Sequence, residues 1–211
     1  MKAVTISSPP RISAGRDIKI EPPTIDDGVQ VWRIVRDSNV LDVNSRYAYL
    51  LWCRDFAETT VVAKLGRKVL GFITGYRRPD EPNTLLVWQV AVDAVVRGQG
   101  LAGRMLNHLF DRVPGVDHLE TTITPDNGAS IALFTGFAER RGARVRVDEL
   151  FSGDLLAPGD DYDHAPENKY RIGPIPTTGP APARPVTDPP AIARPATDRP
   201  ATARQSLRSA P

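Results

Sequence analysis

The segment Val96–Leu106, VRGQGLAGRML, sets three glycines ahead of a run with helical character. Gly98, Gly100 and Gly103 spell G-x-G-x-x-G, while Arg97, Gly100 and Ala102 spell R-x-x-G-x-A. Either spacing suits phosphate chemistry. Glycine lets the backbone approach an anion closely, and a helix start turns unpaired N–H groups and the positive end of the dipole toward it. The two patterns differ in which phosphate they hold. A dinucleotide fold runs its strand almost directly into the first glycine and repeats the βαβ unit. Here Asp93 to Arg97 intervene after QVAV, and the chain has room for one such crossover. Glu120, seventeen residues past Gly103, stands near the spacing of a ribose-binding acid, yet the rest of that fold is missing. No G-x-x-x-x-G-K-[ST] occurs, so a nucleotide P-loop is excluded.

Other chemistries find less support. His108, His118 and His164 form no i,i+4 pair and have no cysteine partners, which argues against a metal site. The acid-rich run Gly159 to His164, GDDYDH, lacks the spacing of a calcium loop with its glycine and closing glutamate, and reads as a solvated loop. The single cysteine, Cys53 in AYLLWCRDF, excludes an intrachain disulfide, fits a reducing compartment and reads as a packed helical thiol. A formal charge of +2 gives no case for nucleic acid or an anionic membrane as partner. Residues 1–17 contain no apolar signal core, and no apolar run approaches the roughly 20 residues that span a bilayer. The expected location is the cytoplasm.

The elements that must position the glycine segment are legible from periodicity. IKIEPP (18–23) reads as a short strand stopped by prolines, and Thr24 with Asp27 reads as a helix start before the stripe Val31, Ile34 and Val35. A turn-rich stretch at Asp42 to Arg46 precedes a second, aromatic helix. TTVVAK (59–64) and VLGFITGY (69–76) are spaced as a hairpin. TLLVWQVAVD is the longest strand-like run, and the glycine segment leads into a helix with Leu101, Met105 and Leu109 on its apolar face. HLETTIT (118–124) is a strand, Asp126 or Asn127 caps the helix through IALFTGFAERRG, and Gly142 ends it. Short strands at 143–147 and 169–172 close the series. One meander followed by a single βαβ unit makes the domain α+β.

Residues 1–17 are expected to be a flexible N-terminus, 18–173 the folded domain and 174–211 a disordered Pro/Ala/Arg-rich tail. Ten of the twenty prolines fall in that tail, which has no aromatic residue and a near-repeat, ARPVTDPPAI and ARPATDRPAT. It carries five arginines against two aspartates, so the chain's mild basicity belongs to the tail.

The run V-A-V-D-x-x-x-R-G-x-G-L-A resembles the signature of the GNAT N-acetyltransferase superfamily. The resemblance implies a GNAT fold, a mixed central sheet of about seven strands flanked by about four helices, and acetyl-CoA as cosubstrate without a metal. It implies that the strand LLVWQVAVD bulges near its end, that backbone groups at Val90, Ala91 and Val92 pair with the pantetheine arm, and that Arg97, Gly98, Gln99, Gly100, Leu101 and Ala102 hold the pyrophosphate. PDNGAS (125–130) resembles the second cofactor segment, which points to Asn127 and Ser130. One position departs. Many members have a tyrosine after that asparagine to protonate the departing thiolate, and here the residue is Phe134, which has no proton to give.

Four stretches are similar to a narrower group, the L-2,4-diaminobutyrate acetyltransferases of ectoine biosynthesis: LDVNSRYAYLL, FITGYRRPDEPNTLLVWQVAVD, LETTITPDNGASIALF and KYRIGP. That resemblance, running from about Ile18 to Pro174, implies acetylation of the 4-amino group of a small diamino acid, and a homodimer. It draws the acceptor site from Asp42, Tyr47, Trp88, Glu120 and His164. Glu120 is the expected general base, since an alkylammonium must lose a proton before it attacks a thioester. On this expectation Glu120→Gln keeps acetyl-CoA binding and lowers turnover. Each residue also has a plain structural reading: Glu120 as a strand-end acid paired with a basic neighbour, Asp42 as a turn former, Trp88 as core. Two other functions fit the same glycine segment, acetylation of another small diamine or polyamine and a non-catalytic acetyl-CoA sensor. A sensor has no use for Asp42, Trp88 and Glu120 together.

Overall fold

The computed structural model describes residues 17–38, 40–157 and 164–176. Seven strands and five helices alternate along them: β1 (Lys19–Glu21), α1 (Gly28–Ser38), α2 (Arg46–Asp55), β2 (Val61–Leu65), β3 (Lys68–Arg77), β4 (Thr84–Val92), α3 (Leu101–Arg112), β5 (His118–Ile123), α4 (Gly128–Arg140), β6 (Val145–Phe151), the four-residue α5 (Gly153–Leu156) and β7 (Glu167–Ile172). The strands form one sheet in the order β1-β2-β3-β4-β5-β7-β6. Every neighbouring pair is antiparallel except β4 and β5, which run parallel. Parallel neighbours need a long crossover, and α3 supplies it. The architecture is the expected α+β one.

Period-two alternation sends side chains to opposite faces of the sheet, and each face is covered by its own helices. Val62, Val69 and Phe72 pack against Val31 and Val35 of α1 and Tyr49 and Cys53 of α2. Val61, Ala63, Leu70, Leu85, Val87 and Leu119 pack on the other side against Met105, Leu106 and Leu109 of α3 and Phe134 and Phe137 of α4. Cys53 is the packed thiol anticipated, and burial pushes its pKa up to about 12.

The helix starts follow the local chemistry. Thr24 donates through its N–H and hydroxyl to the Asp27 carboxylate (2.8 and 3.0 Å), which holds a 3₁₀ turn at Ile25–Asp27 ahead of α1. Asp27 is also paired with Lys64 at 2.8 Å, tying this turn to β2. Ser45 caps α2 by accepting from the Ala48 N–H at 3.2 Å, and Asn127, of the two candidates, caps α4 by accepting from the Ser130 N–H at 3.1 Å.

Three features differ from the sequence reading. The last two strands are longer than expected, and β7 inserts between β5 and β6. The one-turn α5 follows β6. The folded region continues past residue 173, because Ile175 is buried and its N–H donates to the Asp117 carbonyl at 2.7 Å. The segments expected to be a flexible N-terminus and a disordered tail, apart from Asp17 and Pro174–Pro176, lie outside the described residues. Among the described residues no helix is long and apolar enough to cross a membrane.

Gly75 of β3 leaves no room for a side chain. A Cβ there would stand 2.5 Å from the Leu86 carbonyl oxygen and 3.1 Å from that of Thr59, both backbone atoms. Gly75→Ala is expected to destabilise the fold by roughly 1–3 kcal/mol, measured as a lowered midpoint in denaturant unfolding.

Candidate active site

The site begins with one extra residue in β4. Thr74 of β3 faces Gln89, whereas the next residue, Gly75, faces Val87, so Trp88 has no partner and the strand bulges there. A bulge sets two successive side chains on one face. Val87 points into the core beneath α3 and α4, while Trp88 and Gln89 both turn to the side of α1 and α2. There Trp88 stacks on Trp52 with ring centroids 4.4 Å apart, and Trp52 stacks on Phe56 at 4.8 Å.

The bulge also ends the partnership of β4 with β5. Their parallel register runs from Thr84–His118 to Val87–Thr121 and stops. Beyond it, β4 remains paired with β3 alone. The Asp93 N–H donates to the Leu70 carbonyl (2.8 Å), and the Gln89 carbonyl accepts from the Thr74 hydroxyl (3.4 Å). Strand alternation then aims the peptide groups of Val90 and Val92 at the unpaired edge. Consistent with this, the Val92 carbonyl accepts from Arg97 Nε at 3.3 Å.

Two adjoining cavities occupy the fork. The first, about 390 Å³, is lined by Val90, Ala91, Val92, Arg97, Gly98, Ala102, Asn127 and Ser130. Its floor is mostly apolar side chain and strand edge. At its end the glycine segment takes positive φ at Gly98 (74°) and Gly100 (71°), and Gly100 is the N-cap of α3. The first turn of that helix carries N–H groups with no intrahelical acceptor. Gln99, Gly100 and Leu101 do not line this cavity. The Leu101 side chain is buried among Met105, Leu106 and the sheet, which anchors the helix start while leaving its backbone at the loop.

The second cavity, about 430 Å³, is polar. Asp42, Trp88 and His164 line it, as the sequence reading expects, together with Gln89, Thr122, Asp126 and Glu167. The two cavities share Val40, Leu41, Val90, Asn127 and Ser130, so they meet at the fork, beside the loop after α1. Phe134, 1% exposed, closes the base of the second.

Two expected acceptor residues are elsewhere. Tyr47 is 68% exposed on the outer side of α2 and lines neither cavity. Glu120 is 1% exposed and lines neither cavity, since its position on β5 pairs with Leu86, before the fork opens. Its carboxylate accepts from Arg78 at 2.6 Å and from Arg171 at 3.4 Å. These guanidinium groups also hold Asp80 (2.7 Å) and Glu81 (2.6 Å). The structure thus places Glu120 as a paired strand-end acid, outside both cavities. The same face of β5 reaches the cavity two residues later, at Thr122.

Glu167, at the first position of β7, was not among the candidates. Burial raises its carboxyl pKa above the ordinary value, with Asp42 and Asp126 adding to the rise, while a hydrogen bond from Thr122 and the charge of His164 oppose it. Its Oε2 is buried without a hydrogen-bond partner. The available signal was an acid three residues after His164, hidden because the strand was read as starting at Lys169. Among the described residues no group of three or more His, Cys, Asp or Glu could hold a metal ion.

A strand fork beside a glycine-capped helix defines an acyltransferase of the GNAT type. The model of the acetyltransferase (GNAT) family matches residues 29–137, and the chain belongs to that family. Within it, the chain belongs with the L-2,4-diaminobutyric acid acetyltransferases. It is 55% identical to the one from Streptomyces coelicolor over 171 residues, 79% of this chain and 99% of that one. It is 53% identical to the one from Streptomyces avermitilis over 162 residues, 75% of this chain and 89% of that one. The structure of diaminobutyrate acetyltransferase EctA from Paenibacillus lautus, in complex with L-2,4-diaminobutyric acid and coenzyme A, superposes with a TM-score of 0.72 at 37% identity, covering 76% of this chain and 96% of that chain.

The pairing around Glu120 carries a stability prediction. Glu120→Ala leaves two guanidinium groups facing a buried void. It is expected to cost about 3 kcal/mol in denaturant unfolding, the low end for a broken buried pair because each arginine keeps a second acid. Coenzyme A affinity, measured by calorimetry below the unfolding transition, is expected to stay within about twofold because Glu120 lines neither cavity.

Proposed function

We propose that the chain transfers the acetyl group of acetyl-CoA to the 4-amino group of L-2,4-diaminobutyrate, giving N4-acetyl-L-2,4-diaminobutyrate, the precursor of ectoine. With this reading go a cytoplasmic location and a homodimer. The observation that carries it is the second cavity: carboxylates of Asp42 and Glu167 beside the Trp88 ring, opening at Val90 and Ser130 onto a cleft suited to a phosphopantetheine chain.

The pyrophosphate takes the N–H groups of Gly98, Gln99, Gly100, Leu101 and Ala102 at the start of α3, with Arg97 as a cation. The pantetheine amides pair with the open edge at Val90 and Val92, with Ala91 lining the cleft between them, and Asn127 and Ser130 border the arm from α4. Diaminobutyrate, a zwitterion with a second ammonium, lays its cations between Asp42 and Glu167, with the Trp88 face and His164 as further walls. Glu167 takes the proton of the 4-ammonium, its raised pKa making it a better acceptor than an ordinary carboxylate. The free amine attacks the thioester carbonyl carbon, and the Val90 N–H, aimed at the open edge, stabilises the oxyanion. The C–S bond then breaks with its electron pair leaving on sulfur, and the second proton on the newly bonded nitrogen passes to solvent, which leaves a neutral amide. Phe134 gives no proton, and a thiolate whose conjugate acid has a pKa of about 8.5 leaves without one.

The direct test is thiol release from acetyl-CoA with L-2,4-diaminobutyrate, ornithine, lysine, putrescine and water as competing acceptors. Release confined largely to diaminobutyrate, with the product acetylated on the 4-amino group, bears out the reading. Preference for a polyamine overturns the acceptor, and acetyl-CoA binding without release from any acceptor overturns the enzyme.

Glu167→Gln is expected to lower kcat/KM for diaminobutyrate by about 100-fold or more with acetyl-CoA affinity retained. The wild-type pH profile follows from the same carboxyl. Only the deprotonated form accepts the proton, and its pKa is raised, so kcat/KM falls with decreasing pH at a higher pH than an ordinary glutamate gives. An acidic limb unchanged in Glu167→Gln would remove Glu167 from this role.

A further inference from the structure

Gln89 is the second of the two side chains that the bulge turns to the cleft, and it is 5% exposed. Its amide is engaged at both ends. Oε1 accepts from the Tyr49 hydroxyl of α2 at 3.0 Å, and Nε2 donates to the backbone carbonyl of Asp42 at 3.2 Å. Tyr49 is fully buried, and the Gln89 carbonyl is itself held by Thr74. The chain of bonds thus runs from a rigid helix through a rigid strand to the loop between α1 and α2. Besides that bond, the loop is held by Leu41, which packs against the core between α1, α2 and the sheet. Val40 and Leu41 donate only to Ser38 within the same segment, both at 3.3 Å. Among the described residues, the hydrogen bond from Gln89 is the one that ties residues 40–44 to the sheet.

We propose that Gln89 is a positioning residue which, with Tyr49, struts the Asp42 loop over the acceptor cavity and so sets the length of diamino acid the site takes. This rests on the acceptor reading above. Asp42 stands on the loop and Glu167 on β7, opposite walls of one cavity. An acceptor that bridges two carboxylates with two ammonium groups is measured by the distance between those walls. The Glu167 wall is built into the sheet, whereas the Asp42 wall is held through the strut. An amide suits the task because it accepts from a hydroxyl and donates to a carbonyl at once. A carboxylate in its place would set two acceptors against each other at Asp42.

The test compares wild type with Gln89→Met, Gln89→Glu and the milder Tyr49→Phe. It reads KM and kcat for diaminobutyrate and ornithine, KM for acetyl-CoA, and amide hydrogen exchange over residues 40–45. Gln89→Met is expected to raise KM for diaminobutyrate about five- to tenfold, the worth of one buried hydrogen bond, with KM for acetyl-CoA within about twofold. Its preference for diaminobutyrate over ornithine, as a ratio of kcat/KM, is expected to narrow by about the same factor, and exchange in the loop to quicken. Tyr49→Phe is expected to move all these in the same direction by less, and Gln89→Glu by more. A variant with unchanged loop exchange, or one that loses both acceptors equally, overturns the strut. Wild type inactive with both acceptors would instead sink the acceptor reading, while loop exchange still decides whether the strut exists.

Discussion

Everything functional in this fold depends on two parallel strands that are joined for four residues and then part. β4 and β5 share a ladder up to Val87 and Thr121, and the unpaired residue Trp88 ends it. An open strand edge in the middle of a sheet is costly unless something satisfies it, since buried peptide groups without partners cost about 1–3 kcal/mol each. The edge at Val90 and Val92 is thus a site made by subtraction: peptide groups of a regular strand, pre-aimed and left for a ligand amide to complete. Because the strands are parallel, the crossover helix α3 must start at the same end. Its N-terminus lands beside the fork, and the anion site and the amide-pairing edge adjoin without further design.

The carboxylates divide into two populations by their neighbours. Asp27 is held by Lys64, and Glu120 by Arg78 and Arg171, with Asp80 and Glu81 on the outer ends of the same guanidinium groups. These pairs bind the β3–β4 connection, β5 and β7 to one another just below the fork. Asp42 and Glu167, above it, face the cavity instead. Burial raises the Glu167 carboxyl pKa above its ordinary value by disfavouring the charged form. A cation placed beside it would offset that cost. Strong pairing below and unfilled acid above are one arrangement: the first keeps the walls in place for the second.

Much of the fold could be read from periodicity. The antiparallel meander, the hairpin, the crossover helix and its glycine start, and the caps at Thr24 and Asn127 all rest on contacts within a few residues, which local spacing encodes. The cofactor cleft was legible for the same reason, being one strand, one loop and one helix start in sequence order. The acceptor pocket was not, because its walls come from a loop near residue 42, a bulge at 88, β5 at 122 and β7 at 167. Asp42, Trp88 and His164 were found through resemblance. Glu120 follows from the same resemblance, and its strand position is visible in the sequence, whereas the point where two strands separate is not.

The sequence by itself pointed to most of the helices and strands, to a single crossover after LLVWQVAVD, and to the glycine segment Gly98 to Ala102 as the start of its helix. Those outcomes depend on side-chain size, branching and glycine at near positions in the chain. Only the tertiary structure decided that β7 enters between β5 and β6, that Arg171 arrives with it to neutralise Glu120, and that Glu167 arrives four residues earlier with one carboxyl oxygen buried and without a hydrogen-bond partner. The physical reason is that the charge state and reach of a carboxylate are set by groups around it in space. For Glu120 and Glu167 those groups lie tens of residues away along the chain and a few ångströms away in the fold.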